Sequence, residues 1–162
     1  LDRITKRNNL KYFELRCTAY IKKDISYEKS FNILSKYISF SMAQDDKLKE
    51  LHINKKGYKY YNFDNFYPIE KDKIYKKGNN YQISLRSPNI YFIDTISQLL
   101  RENINNEYFQ IIITNKRTVS QFFISELYTL TPTIVTVGNN LFWTIDRDGD
   151  IAKLQKQLHD NL

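Results

Sequence analysis

The first clear pattern along the chain is a strict alternation over residues 12–21. Phe13, Leu15, Cys17, Ala19 and Ile21 share one face, and Tyr12, Glu14, Arg16, Thr18 and Tyr20 the other. A period of two predicts a strand with one buried face. The period then lengthens. Ser26 reads as an N-cap, and Tyr27, Phe31, Leu34 and Ile38 recur at helical spacing. A shorter helical piece, DDKLKELH, follows at 45–52. Residues 59–67 and 81–86 read as two strands, joined by a lysine-rich connection that ends in the turn signal KKGNN. Ser87 and Pro88 open the next helix as cap and first helical position, and Ile93, Ile96, Leu100 and Ile104 supply its buried stripe. Residues 108–114, with Ile111, Ile112 and Ile113 in succession, make a further strand.

Strand, helix, strand, strand, helix, strand is the split βαβ order, so the expected class is α+β with a ferredoxin-like domain over 11–117. Residues 1–10 stand as an N-terminal extension and 118–131 as a connector. Beyond it, TPTIVTV and LFWTI flank Gly138-Asn139-Asn140, a hairpin signal, and Ile151, Leu154, Leu158 and Leu162 lay down one more helical stripe. A hairpin and a helix do not close a sheet by themselves, so 132–162 are expected to be the first part of a second ferredoxin-like domain. The open strand edges of such a half-domain favour pairing with another copy, and a homodimer is an expected partner.

Composition narrows the class. With 41% hydrophobic and 15% aromatic residues, the chain is too apolar to be disordered. No apolar run approaches the ~18–20 residues a membrane helix needs, and LDRITKRNNLKYFEL has no apolar core of a signal peptide. Cys17 is the one cysteine, which leaves no internal disulfide and no thiolate zinc cage. A reducing, cytoplasmic setting without a membrane partner is expected. The charge is uneven: residues 1–81 hold 18 Lys and Arg against 10 Asp and Glu, while 82–162 hold 7 against 8. The whole basic surplus therefore sits in the first half, where it suits a polyanion as readily as it suits plain solvation.

The densest chemistry lies in LHINKKGYKYYNFDNFYPIEKDKIYKKG, residues 51–78, with seven lysines and seven aromatics. Cations interleaved with rings suit single-stranded RNA, whose bases stack and whose phosphates pair with ammonium groups. The same composition also describes a half-exposed hairpin with buried rings and solvated lysines. His52, one of two histidines, ends the short helix beside the basic loop, and imidazole suits proton transfer in phosphodiester cleavage. His159, beside Asp160, carries no assigned role. The acids of DRDGD at 146–150 do not make a calcium loop: the glycine comes too early, and Gln157 stands where a bidentate Glu belongs. No phosphate-binding glycine loop, Gly-x-Ser-x-Gly elbow or His-Glu-x-x-His motif occurs, and no metal or cofactor is expected.

Read together, KYFELRCTAYI, LKELH with KKGYKYYNF, and LYTLTPTIVTV give a chain that resembles the CRISPR-associated endoribonucleases that process repeat RNA, within the repeat-associated RNA-binding superfamily. The likeness runs from about Lys11 to the end. It implies tandem ferredoxin-like domains and metal-independent cleavage of the precursor transcript to guide RNA, in antiviral defence. The ribose 2′-hydroxyl would attack the neighbouring phosphate. The matching positions are His52 as acid or base, Tyr37 as its proton partner or aligner, and Lys59 as the clamp on phosphorane charge. Expected RNA contacts are Lys55, Lys56, Tyr58, Lys71, Lys73, Lys76, Lys77 and Arg16. Hand-off of the product to a CRISPR effector complex would follow. The family's C-terminal glycine-rich loop has no counterpart here, which sets two rival readings beside the enzyme: a truncated module that binds repeat RNA without cutting it, and a basic structural subunit of a larger ribonucleoprotein.

Overall fold

In a computed structural model the described residues are 10–53, 59–121, 136–137 and 141–160. The chain divides into two compact units, Leu1–Phe122 and Phe123–Leu162. The alternating segment is the strand β1, Leu10–Ile21. A two-residue strand β2, Ile25–Ser26, leads into helix α1, Tyr27–Met42, with Ser26 at the N-cap position. Helix α2, Asp46–Ile53, follows. Then come two short strands, β3 at Asn62–Phe63 and β4 at Ile74–Tyr75, before β5, Asn80–Ser87. Helix α3, Ile90–Glu102, and strand β6, Phe109–Gln121, complete the first unit.

The main sheet is antiparallel with strand order β3-β5-β1-β6. Two βαβ halves interleaved in that order are the ferredoxin-like topology, so the α+β expectation holds. Leu15, Cys17, Ala19 and Ile21 of β1, with Tyr81, Ile83 and Leu85 of β5, are buried with Leu34, Tyr37 and Ile38 of α1 and Phe92, Ile93, Ile96 and Leu100 of α3. Thus the helices cover one face of the sheet, and the polar half of the alternation is left on the other. The second unit shows β7, Thr136–Val137, paired antiparallel with β8, Leu141–Phe142, then helices α4, Ile145–Asp148, and α5, Ile151–Asp160. Asp150 caps α5, its side chain accepting from the Ala152 and Lys153 amides at 3.0 and 3.1 Å. No helix among the described residues is long and apolar enough to cross a membrane.

Several boundaries differ from the pattern reading, each for a local reason. Helix α3 is capped not by Ser87 but by Asn89, whose side chain accepts from the Tyr91 and Phe92 amides. Ser87 stays in β5, and its hydroxyl instead receives the Asn89 amide and donates to the Tyr60 carbonyl at 2.6 Å. Ile104 is exposed rather than buried, because the helix has already closed at Asn103. The strand expected at 59–67 shrinks to two residues: Asp64 takes the Ser84 amide on its carboxylate, and Asn65 bonds its own neighbour, Phe66. Strand β6 continues through 118–121, kept in register against β1 after a bulge at Ile112, whose neighbours Ile113 and Ile111 pair with Thr18 and Ala19. The turn residues Gly138-Asn139-Asn140, and Leu162, lie outside the described residues.

Candidate functional site

Helix α2 brings His52 to its place. Asp45 starts the helix by accepting the Leu48 amide at 3.0 Å, and its other oxygen accepts the Tyr91 hydroxyl at 3.0 Å, which ties the start of α2 to the start of α3. The Leu48 amide bond holds the Asp45 carboxyl below its ordinary value against desolvation, with the Tyr91 hydroxyl adding to it. Leu48 is fully buried and Leu51 packs against the core, so the last turn that carries His52 is anchored from beneath. His52 is half-buried, and its Nδ1 is enclosed without a hydrogen-bond partner among the described residues.

Beside that turn lies a cleft of about 250 Å³ lined by Leu51, Lys59, Tyr60, Ser87, Pro88, Asn89 and Phe92. Lys59 is exposed at its rim. Tyr60 holds a left-handed backbone, φ 52°, unusual for a bulky residue, and the Ser87 hydroxyl on its carbonyl pins that conformation. The cleft therefore combines a lysine, the Asn89-capped start of α3, and Leu51 from the terminal turn of α2, while His52 is not among its lining residues. A cation next to a helix N-terminus favours an anion.

Tyr37 is not part of this arrangement, and the expectation for it is corrected. It is 2% exposed and packs on Phe109 at 4.6 Å between ring centres, the rings tilted by 54°. Its hydroxyl donates to the Leu100 carbonyl at the far end of α3. From Phe92, which lines the cleft, to Leu100 is about 12 Å along the helix axis. Burial pushes the phenol well above its ordinary pKa, so it keeps its proton. Tyr37 is a packing residue that closes the last turn of α3.

The lysine-rich segment divides in the same way. Phe66 and Tyr75 are core residues, Tyr61 stacks on Phe92 and Phe63 on Phe31, while Tyr60 and Tyr67 are exposed. Both readings of its rings are thus present in one segment. Lys71, Lys73 and Lys77 are exposed, and Lys76 is paired with Asp72 at 2.5 Å. Lys73 has φ 57° and its carbonyl accepts the Tyr27 amide at the start of α1, so its backbone is structural. Lys55, Lys56 and Tyr58 lie outside the described residues.

Arg16 belongs to a different place, the sheet face opposite the helices. There Glu14 is paired in register with Arg86 of β5 and Arg117 of β6. Arg16, Arg86 and Arg117 each donate Nε–H to its carboxylate, at 2.8, 2.9 and 2.8 Å. Burial alone would raise the Glu14 carboxyl, but the bonds from Arg117 and Arg16 and the charge of Arg86 outweigh it and hold it at about 2. Arg86 and Arg117 were not among the expected site residues. Their signal is cross-strand: alternation puts all four side chains on one face, but only the register makes them neighbours.

No protein-family model and no curated protein matches the sequence. Among solved structures the fold is similar to one described as "An RAMP protein binding different RNA substrates", with a TM-score of 0.57 and 14% identity over 90% of this chain and 68% of that one. At that identity the likeness is one of fold.

Proposed function

We propose that the chain binds RNA and cleaves it without a metal, as an endoribonuclease acting on CRISPR repeat transcripts in antiviral defence. The observation that carries the reading is the cleft that joins the terminal turn of α2 to Lys59 and the N-terminus of α3. The ferredoxin-like fold, the neighbour described as binding RNA and the resemblance in KELH and GYKYY support it.

In this reading the scissile phosphate rests against Lys59, beside the capped, electropositive start of α3. The 2′-hydroxyl of the preceding ribose attacks phosphorus, and the bond to the 5′ oxygen breaks, leaving a cyclic phosphate and a 5′-hydroxyl. His52 moves the proton at one of those two oxygens, solvent water takes or supplies the proton at the other, and Lys59 offsets the charge that builds on the non-bridging oxygens. Tyr37 takes no part.

The test is incubation of the chain with end-labelled repeat RNA in EDTA, alongside His52→Ala and a repeat with deoxyribose at the cut position. Cleavage at one site that both changes abolish is the expected result. Binding without cleavage leaves the non-catalytic module, and cleavage that survives His52→Ala overturns the assignment of His52.

A further inference from the structure

The face of the sheet away from the helices carries more positive charge than folding requires. Glu14 is 3% exposed and needs a partner, since an unpaired buried carboxylate is costly. A single arginine, bonded through both nitrogens of its fork, would suffice. Three converge on it instead, with side chains 51%, 34% and 51% exposed for Arg16, Arg86 and Arg117. Asp64, 3.3 Å from Arg86, is the other acid in the group. The cluster of three cations and two anions keeps a net positive charge. Each guanidinium is tied to Glu14 by Nε, which orders the side chain; Arg86 also turns Nη2 to Asp64, while Arg16 and Arg117 stay half-exposed. That is the presentation in which arginine meets a phosphate with a planar pair of donors and little further loss of rotamer freedom.

The surroundings fit a flexible polyanion. Tyr20 lies on the same face four residues from Arg16, about 13 Å along β1, and is 38% exposed. Ile113, opposite Thr18, and Asn115, opposite Arg16, are exposed between them. At the other end Arg86 is followed directly by Ser87, which lines the cleft at Lys59. Consecutive residues of a strand point to opposite faces, so the arginine face and the cleft lie on opposite sides of β5.

We propose that Arg16, Arg86 and Arg117, ordered by Glu14, form a phosphate cradle for single-stranded RNA on the open face of the sheet, with Tyr20 as a stacking surface. The proposal rests on the RNA reading above and adds to it a second contact region, with Glu14 as its positioning residue.

Binding of a labelled single-stranded repeat RNA, measured by fluorescence anisotropy over a salt series in EDTA, tests the cradle independently of cleavage. Arg16→Gln with Arg117→Gln should weaken binding roughly tenfold and lower the slope of log K against log salt by about 0.7 per lost contact. Arg117→Lys keeps the charge and loses the fork, so it should also weaken binding. Glu14→Gln makes the face more positive by one charge. A diffuse basic surface would then bind more tightly, whereas the cradle predicts weaker binding because the arginines are released. Melting curves confirm that each variant is folded, and Arg117→Lys serves if Glu14→Gln is not. Affinity and slope unchanged in the arginine variants would overturn the cradle and leave the RNA reading intact. A wild-type chain that binds no RNA would overturn both. Arginine-dependent binding without cleavage would support the cradle and remove the catalytic assignment.

Discussion

At the scale of single residues, two polar side chains show how environment decides role. Tyr37 and His52 look equally available in the sequence, yet one is a core phenol bonded to a helix carbonyl and the other ends a helix beside a cleft. Alternation and spacing do not reveal which polar group finds an interior acceptor, because the Leu100 carbonyl is 63 residues away in the chain. Tyr37→Phe removes a donor and leaves that carbonyl short of a partner, so it should cost about 1 kcal/mol of stability while leaving any RNA cleavage unchanged. Urea midpoints and cleavage rates of the two proteins check this, and a loss of cleavage at full folding would return Tyr37 to the chemistry. Glu14 gives a pH prediction. Its carboxyl is depressed from 4.5 to about 2 in the folded chain. The folded state therefore binds that proton less readily than the unfolded chain, so the stabilisation is full above about pH 4.5 and fades as pH falls towards 2. Unfolding midpoints of wild type and Glu14→Gln should converge as the pH is lowered through that window, and parallel curves would show that the carboxylate contributes nothing.

At the scale of elements, those with a buried stripe were legible and those held by polar side chains were not. Strand β1 and helices α1 and α3 declare themselves because Leu15, Cys17 and Ala19, or Ile93, Ile96 and Leu100, recur at the period of the element. The region 59–79 hides its structure because its order comes from side chains that bond backbone: Asp64 to Ser84, Asn65 to Phe66, Asp72 to Ile74 and Asp24 to Lys77. The last four residues of β6 were equally obscure, since Thr118, Ser120 and Gln121 pair with Phe13, Lys11 and Leu10 and show no apolar rhythm. The start of α3 is the sharpest case. Ser87-Pro88 is a plausible start signal, but Ser87 is held in the strand by the Tyr60 carbonyl, and Asn89 does the capping. Asn89→Ala should therefore destabilise the chain by about 1 kcal/mol. In the RNA reading it also loosens the helix end that faces the cleft, so cleavage should fall more steeply than stability. Thermal melts beside single-turnover cleavage separate the two effects, and equal cleavage in both proteins would show that the end of α3 does not touch the phosphate.

At the scale of the whole molecule, strand order was readable while the joining of distant side chains was not. The arginine cluster draws on residues 14, 16, 86 and 117, and the cleft on residues 51, 59, 60 and 87–92, so each appears only once the sheet is assembled. Every buried apolar side chain described lies between Leu15 and Ile111, within the first unit. The four strands of its sheet and both long helices also lie there. So many buried apolar side chains in one continuous stretch give the first unit a hydrophobic driving force of its own. A protein ending at Phe122 should consequently unfold in one cooperative transition, with native near-ultraviolet circular dichroism from its buried tyrosines. A broad, non-cooperative urea curve would mean that residues 123–162 complete the core. If the transition is cooperative, the same protein separates two contributions to RNA binding. Both the arginine face and the cleft are within it, so its salt slope should equal that of the full chain, and a smaller slope would assign phosphate contacts to the second unit.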